Sequence, residues 1–163
     1  MSKVKSFFSV GFSLALLVTL AACSSVPLTS ADALSEYNHN YDLWSSKHIT
    51  NYSFDIRISA FFPGSGNLIH IKVRDGVAQG YTQETQPYQT FPDLIIRGYD
   101  NIEKLFAQIK DAYETEAYSI SASYDANFGF PEHAAVDPVK DVWDEQWGFT
   151  VTNFMPLENG SVS

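Results

Sequence analysis

Residues 53–82 read SFDIRISAFFPGSGNLIHIKVRDGVAQGYT, and this stretch decides the fold. Phe54, Ile56, Ile58 and Ala60 alternate with Ser53, Asp55, Arg57 and Ser59. A period of two sends the first set to one face of a strand and the second to the other, giving one buried and one wet face. Pro63-Gly64-Ser65-Gly66-Asn67 reads as a turn. A second strand follows, with Ile69, Ile71 and Val73 alternating with Leu68, His70 and Lys72. Asp75-Gly76 supplies the positive φ angles of a tight hairpin, and a third strand runs on over about Val77 to Thr82. A meander with one apolar face needs helices to cover it.

Toward the N-terminus, Leu34, Tyr37, Tyr41, Trp44 and His48 are spaced 3, 4, 3, 4, which predicts a helix over about 31–49 with a core-packing stripe. On the other side, residues 83–98 hold Pro87 and Pro92 and read as a long loop with a short extended piece, Leu94-Ile95-Ile96. A second helix begins next, with Asp100 as its cap and Glu103 three residues on, in capping-box register. Ile102, Leu105, Phe106, Ile109 and Tyr113 form its stripe. Tyr118, Ile120, Ala122 and Tyr124 alternate with serines as a fourth strand; a short fifth covers His133 to Val136, and the last runs from Trp147 to Phe154. The expected fold class is α+β: a helix, a three-stranded antiparallel meander, a helix, then further antiparallel strands, with the helices packed on one sheet face. A single domain is expected over 31–156, followed by a flexible tail at 157–163.

The N-terminus points to the cell envelope. Lys3 and Lys5 precede an almost wholly apolar run from Phe7 to Leu20, which is short for a bilayer core of about 30 Å. A positive start, a short apolar stretch and small residues at the exit make a secretory signal. The exit, Leu20-Ala21-Ala22-Cys23, resembles the lipobox of bacterial lipoproteins. Residues 1–22 are therefore expected to be removed as a signal peptide, Cys23 to be lipidated, and residues 23–30 to serve as the lipidated tether. A thiolate is the one soft nucleophile that a lipid donor alkylates readily. Each buried CH₂ adds about 0.8 kcal/mol, so two or three acyl chains hold durably where one does not. Ser24 after the cysteine resembles the sorting signal for the outer membrane, which implies its inner leaflet facing the periplasm; the alternative is the periplasmic side of the inner membrane. No cofactor is expected beyond the covalent lipid on Cys23. As the chain holds one cysteine, the domain has no disulfide to draw on.

Charge narrows the partners. Nineteen acidic residues face ten basic ones, for a net charge of −9, and Lys3 and Lys5 fall in the signal, leaving the remainder more acidic still. Such a domain does not track nucleic-acid phosphates. Anionic headgroups repel it too, so membrane contact is expected through the lipid anchor, with an envelope protein as the candidate partner.

No motif spells out chemistry. His39, His48, His70 and His133 lack metal-ligand spacing, and there is no H-E-x-x-H, G-x-S-x-G or phosphate-binding glycine loop. The dense feature is YDANFGFPEHAAVDPVKDVWDEQWGF at 124–149. Its rings and one acid (Tyr124, Asp125, Phe128, Phe130, Trp143 and Trp147) form a candidate binding surface, because Tyr- and Trp-rich patches suit protein contacts. Asp137, Asp141, Asp144 and Glu145 are candidate metal ligands, since Ca²⁺ takes 6–8 hard oxygens. The plainer reading of both is a turn with buried rings and solvated acids.

The string Tyr124-Asp125, Gly129-Phe130-Pro131, Asp137 and Asp144-Glu145, with Asn51-Tyr52-Ser53-Phe54 and Arg74-Asp75-Gly76-Val77 upstream, resembles a family of small bacterial secreted proteins and lipoproteins with a domain of unknown function. The likeness runs from about Trp44 to Phe154. In relatives the first strand often ends in Cys-Phe-Cys-Pro; here Ala60-Phe61-Phe62-Pro63 stands instead, so any thiol role is absent. The resemblance implies a fold and an envelope location and no activity.

The expected function is that of a membrane-anchored periplasmic lipoprotein, a non-catalytic module that binds a protein or another envelope component. A Ca²⁺-dependent ligand-binding domain is the alternative. A wall or lipid hydrolase built on His133 with Asp125 or Glu132 ranks behind both.

Overall fold

The computed structural model describes residues 30–84 and 92–158. The expected signal peptide, Cys23 and nearly all of the tether lie outside these residues, as do 85–91 of the long loop and 159–163 of the tail. The chain runs α1 (Ser30–Lys47), β1 (Tyr52–Ser59), β2 (Leu68–Arg74), β3 (Val77–Glu84), α2 (Asp93–Ile96), α3 (Ile102–Glu114), β4 (Ser119–Tyr124), β5 (Pro131–Asp137) and β6 (Trp147–Pro156). Six strands make one sheet in the order β3-β2-β1-β6-β5-β4, with every neighbouring pair antiparallel. Two three-stranded meanders are thus joined side by side through β1 and β6. A helix precedes each meander, α1 the first and α3 the second. The fold is α+β, with the helices packed against the sheet. Among the described residues no helix is long and apolar enough to cross a bilayer.

The alternation of residues 53–74 holds. Phe54, Ile56 and Ile58 on β1 and Ile69, Ile71 and Val73 on β2 are all buried, in register across the ladder. Asp75 (φ 50°) and Gly76 (φ 75°) make the hairpin, both with positive φ. Phe149 and Val151 on β6 and Ala134 and Val136 on β5 extend the same face. Ile102, Leu105, Phe106 and Ile109 of α3 and Tyr37 and Trp44 of α1 close over it. Each such large side chain, moved from water to the core, contributes about 1.5–3 kcal/mol.

Several local expectations are corrected. Helix α1 stops at Lys47, and His48, expected in the stripe, is exposed with φ 52°. The buried face is Tyr37, Asn40 and Trp44, while Leu34 and Tyr41 are 42% exposed. Asn40 tolerates this position because its amide donates to the Glu36 carbonyl at 2.9 Å. Leu94-Ile95-Ile96 is not extended. Pro92 instead opens the one-turn helix α2, its carbonyl accepting from the amides of Ile95 (3.0 Å) and Ile96 (3.2 Å). The cap of α3 is Asn101 and not Asp100: its side chain accepts from the Lys104 amide at 2.9 Å. Asp100 pairs with the Lys104 ammonium at 2.6 Å. In the α3 stripe, Ala112 is buried in place of Tyr113, which is half-buried. Leu157 and Glu158, read as the start of a tail, are tied down: the Leu157 amide donates to the Asn51 carbonyl (2.8 Å), and Arg74 donates to the Glu158 carbonyl (3.3 Å).

Candidate functional site

The residues of the 124–149 string do not assemble into one exposed surface. Phe130 is 4% exposed and packs edge-on to Trp44 and against Phe154 at 4.4 Å between centroids. Phe128 is half-buried beside both Phe130 and Phe154. Trp147 is half-buried, edge-on to Tyr99. Asp125 accepts from the amides of Asn127 (2.8 Å) and Phe128 (2.7 Å), which shapes the β4–β5 turn. Gly129, with φ 83°, lets that turn press against α1. Trp143 alone among the six stands out in solvent, at 86% exposure.

The acids also disperse. Asp137 ends β5 and accepts from the Gln146 amide at 3.2 Å, while its other oxygen is buried without a partner. Asp141, Asp144 and Glu145 are exposed along the β5–β6 connection. Among the described residues no three of His, Cys, Asp and Glu come together as a metal ion needs. His133 lies 3.2 Å from the Thr150 hydroxyl, and Asp125 is occupied by its turn.

Two other places combine shape with chemistry. The larger is a groove of about 760 Å³ between the first turns of α1, the end of α3 and the edge strand β4. Ala31, Ala33 and Leu34 line one side, Tyr113 and Ala117 the back, and Ile120, Ala122 and Tyr124 the floor. The Tyr124 ring stacks on Phe106 at 6.1 Å, and its hydroxyl is buried with no hydrogen-bond partner among the described residues. Burial raises the Tyr124 pKa above its ordinary range, so the hydroxyl stays protonated and able to donate. A buried donor without a partner is costly, which marks this wall of the groove as unsatisfied. Beside it, β4 is the outermost strand, with no charged side chain along Ser119–Tyr124. An edge of this kind presents unpaired backbone groups to a further strand.

The second place is on the face of the sheet opposite the described helices. His70 Nδ1 lies 2.6 Å from Asp55, His70 Nε2 lies 3.3 Å from Glu84, and the Asn153 amide donates to the other Asp55 oxygen at 2.7 Å. The Asp55 hydrogen bond raises the His70 pKa above its ordinary 6.5. The two carboxylates favour the charged imidazole, and together they tie β1, β2 and β3 across this face.

The groove was not legible in the sequence. Its lining comes from three elements far apart in the chain, and of the α1 residues that form it Leu34 has the spacing of the core stripe while Ala31, Ala33 and Glu36 carry no signal. The one local hint is the uncharged Ser-x-Ser-x-Ser pattern of β4, a strand that carries none of the usual edge charges.

No curated protein and no solved structure matches the chain. The sequence pattern of one protein family, a family of unknown function (DUF6174), matches residues 36–156, from within α1 to the end of β6, and the chain belongs to that family.

Proposed function

We propose that this protein is a lipid-anchored, non-catalytic binding module of the cell envelope, and that its ligand lies in the groove along β4. The carrying observation is the groove itself: a trough with an apolar floor, edged by Glu36 and Glu116, beside a strand that carries no charge and is outermost among the described residues. The ligand class that suits this combination is an extended polypeptide segment of an envelope protein. Its backbone adds a strand to β4, and alternate side chains drop into the trough. The anchor rests on Leu20-Ala21-Ala22-Cys23, and the outer membrane's periplasmic leaflet on Ser24.

The test is photo-cross-linking of the full chain in the producing cell, with the reactive side chain placed at Glu116 on the groove rim or at Gln79 on the opposite edge strand. One defined adduct is expected from Glu116 and none from Gln79. The substitution Ala33→Trp, which fills the groove from the α1 side, should abolish the adduct. The same adducts from both edges, or an adduct indifferent to Ala33→Trp, would sink the reading.

A further inference from the structure

One end of the sheet gathers exposed apolar side chains. The end of β1 at Ser59 pairs with the start of β6 at Gly148, Val136 near the end of β5 pairs with Trp147, and the end of β5 at Asp137 pairs with the start of β4 at Ser119. The connections at this end include 60–67, 115–118 and 138–146, beside the end of β3 at Glu84. They carry Phe61 (77% exposed), Trp143 (86%), Val139 and Tyr118, with Phe62 half-exposed beside them. The turns at the opposite end, 48–51, 75–76 and 125–130, carry no exposed ring; its exposed large apolar side chains are Val77 and Met155, on the strands beside them.

Helix α1 starts at the same end. Ala31 and Leu34 share the groove with Tyr118, Ser119 and Ile120, whereas Trp44 near the helix's other terminus packs on Tyr52, where β1 begins. The chain that precedes the domain thus leaves from the end that bears the exposed rings. Cys23 stands seven positions before Ser30. Seven residues reach at most about 25 Å when fully extended. A lipid on Cys23 therefore keeps the α1 start within that distance of the bilayer surface.

We propose that this end of the sheet docks on the membrane that holds Cys23, with Phe61 and Trp143 entering the boundary between headgroups and acyl chains. The docking rests on the anchor proposed above. Trp and Tyr favour that boundary because each joins an apolar ring to a polar tip. Lys140, whose ammonium sits 5.7 Å from the Tyr118 ring centroid, falls at the level of the lipid phosphates. Asp141, Asp144 and Glu145 lie in the same connection and repel anionic headgroups, so the surface suited to this end is zwitterionic. Docking also fixes the groove at a set height above the bilayer, with its α1 mouth toward the membrane.

The experiment uses the full chain as its cell processes it, extracted in detergent and reconstituted into phosphatidylcholine–phosphatidylethanolamine vesicles with brominated acyl chains. The mass of the N-terminal peptide reports whether Cys23 carries lipid. Trp44 is buried and Trp147 half-buried, so bromine quenching reads chiefly Trp143, and a Trp143→Phe form supplies the background. Roughly half of the Trp143 emission should be lost, since interfacial side chains reach ~5–10 Å into the boundary. The loss should shrink in Phe61→Ser. A lipidated chain whose Trp143 emission is unquenched would overturn the docking while leaving the anchor intact, and would hand this surface to a protein partner. An N-terminus without lipid would overturn the anchor, and the docking with it.

Discussion

The indole N–H of Trp44 on α1 donates to the Glu103 carboxylate at the start of α3, at 3.1 Å. The second Glu103 oxygen takes the Tyr52 hydroxyl at 3.2 Å, and the Tyr52 oxygen in turn accepts from the Ile102 amide at 2.9 Å. One carboxylate thereby ties α1, α3 and β1 together over two buried rings. Glu103→Ala leaves both ring donors without their acceptor, and a loss of about 1–3 kcal/mol is expected, moderated by water reaching this rim. Glu103→Gln keeps one acceptor and should fall between. Urea unfolding midpoints check the order; an alanine form as stable as the parent would show that the tie contributes nothing.

Gly129 makes a different point about the same region. A Cβ there would meet the Asn40 carbonyl at 2.5 Å and the Trp44 amide at 3.0 Å, and the residue has φ 83°. Gly76 shares the positive φ (75°) and faces open space. Left-handed backbone costs a side chain about 1–2 kcal/mol, and forced overpacking adds about 1–3 more. Gly129→Ala should therefore destabilise clearly more than Gly76→Ala. Equal melting temperatures for the two would mean that the turn does not press on α1.

How far the sequence carried depends on whether a signal was local. Residues 53–76 fixed two strands, their faces and the hairpin, because alternation and a two-residue turn are local. The cap of α3 went to Asn101 because Asp100 and Asn101 are adjacent good caps, and the choice lies with Asn101, whose amide also reaches the Gly76 carbonyl at 3.1 Å, a contact across the fold. Leu94-Ile95-Ile96 carries no period, and Pro92 before it suits a helix start as well as a loop. The 124–149 string is dense in rings, but burial of Phe130 and exposure of Trp143 depend on what folds over each. The groove needed α1, α3 and β4 together, so nothing short of the fold revealed it.

His70 makes stability depend on pH. Its pKa is raised in the folded chain, first through the Asp55 hydrogen bond, relative to an unfolded value of 6.5. The folded state therefore binds the proton more tightly than the unfolded one. The resulting stabilisation is fully present below pH 6.5 and is lost as the pH rises through the folded value. Unfolding midpoints should fall from pH 6 toward pH 9 by an amount that His70→Gln removes. His70 is exposed enough for salt to screen the pair, so the pH effect should also shrink at high ionic strength.

At alkaline pH the buried phenols take over. Burial pushes Tyr99 and Tyr37 up to about 12 from an ordinary value of 10. Above pH 10 the unfolded chain releases protons that the folded chain retains, so stability should fall steadily from there and the fold should open cooperatively. Phenolate absorbance at 295 nm is the measurement. Part of it should appear together with loss of helical circular dichroism; smooth titration of all nine tyrosines with the fold intact would contradict the burial.

Tyr124 sets stability against binding. Its hydroxyl is buried without a partner, while its ring lies stacked on Phe106. Tyr124→Phe keeps the stack and deletes the unsatisfied group, so the domain should gain about 1 kcal/mol, half or less of what an orphaned buried polar group typically costs. That corresponds to a rise of roughly 4 °C in melting temperature for a domain of this size. If the groove wall shifts on binding so that the hydroxyl meets an acceptor on the bound segment, the same variant loses that contact, and the cross-link from Glu116 should weaken although the protein is more stable. A stability gain with an unchanged cross-link would make Tyr124 a packing residue and take the donor out of the groove's recognition. The paired measurement of stability and cross-link therefore separates a role in recognition from mere packing.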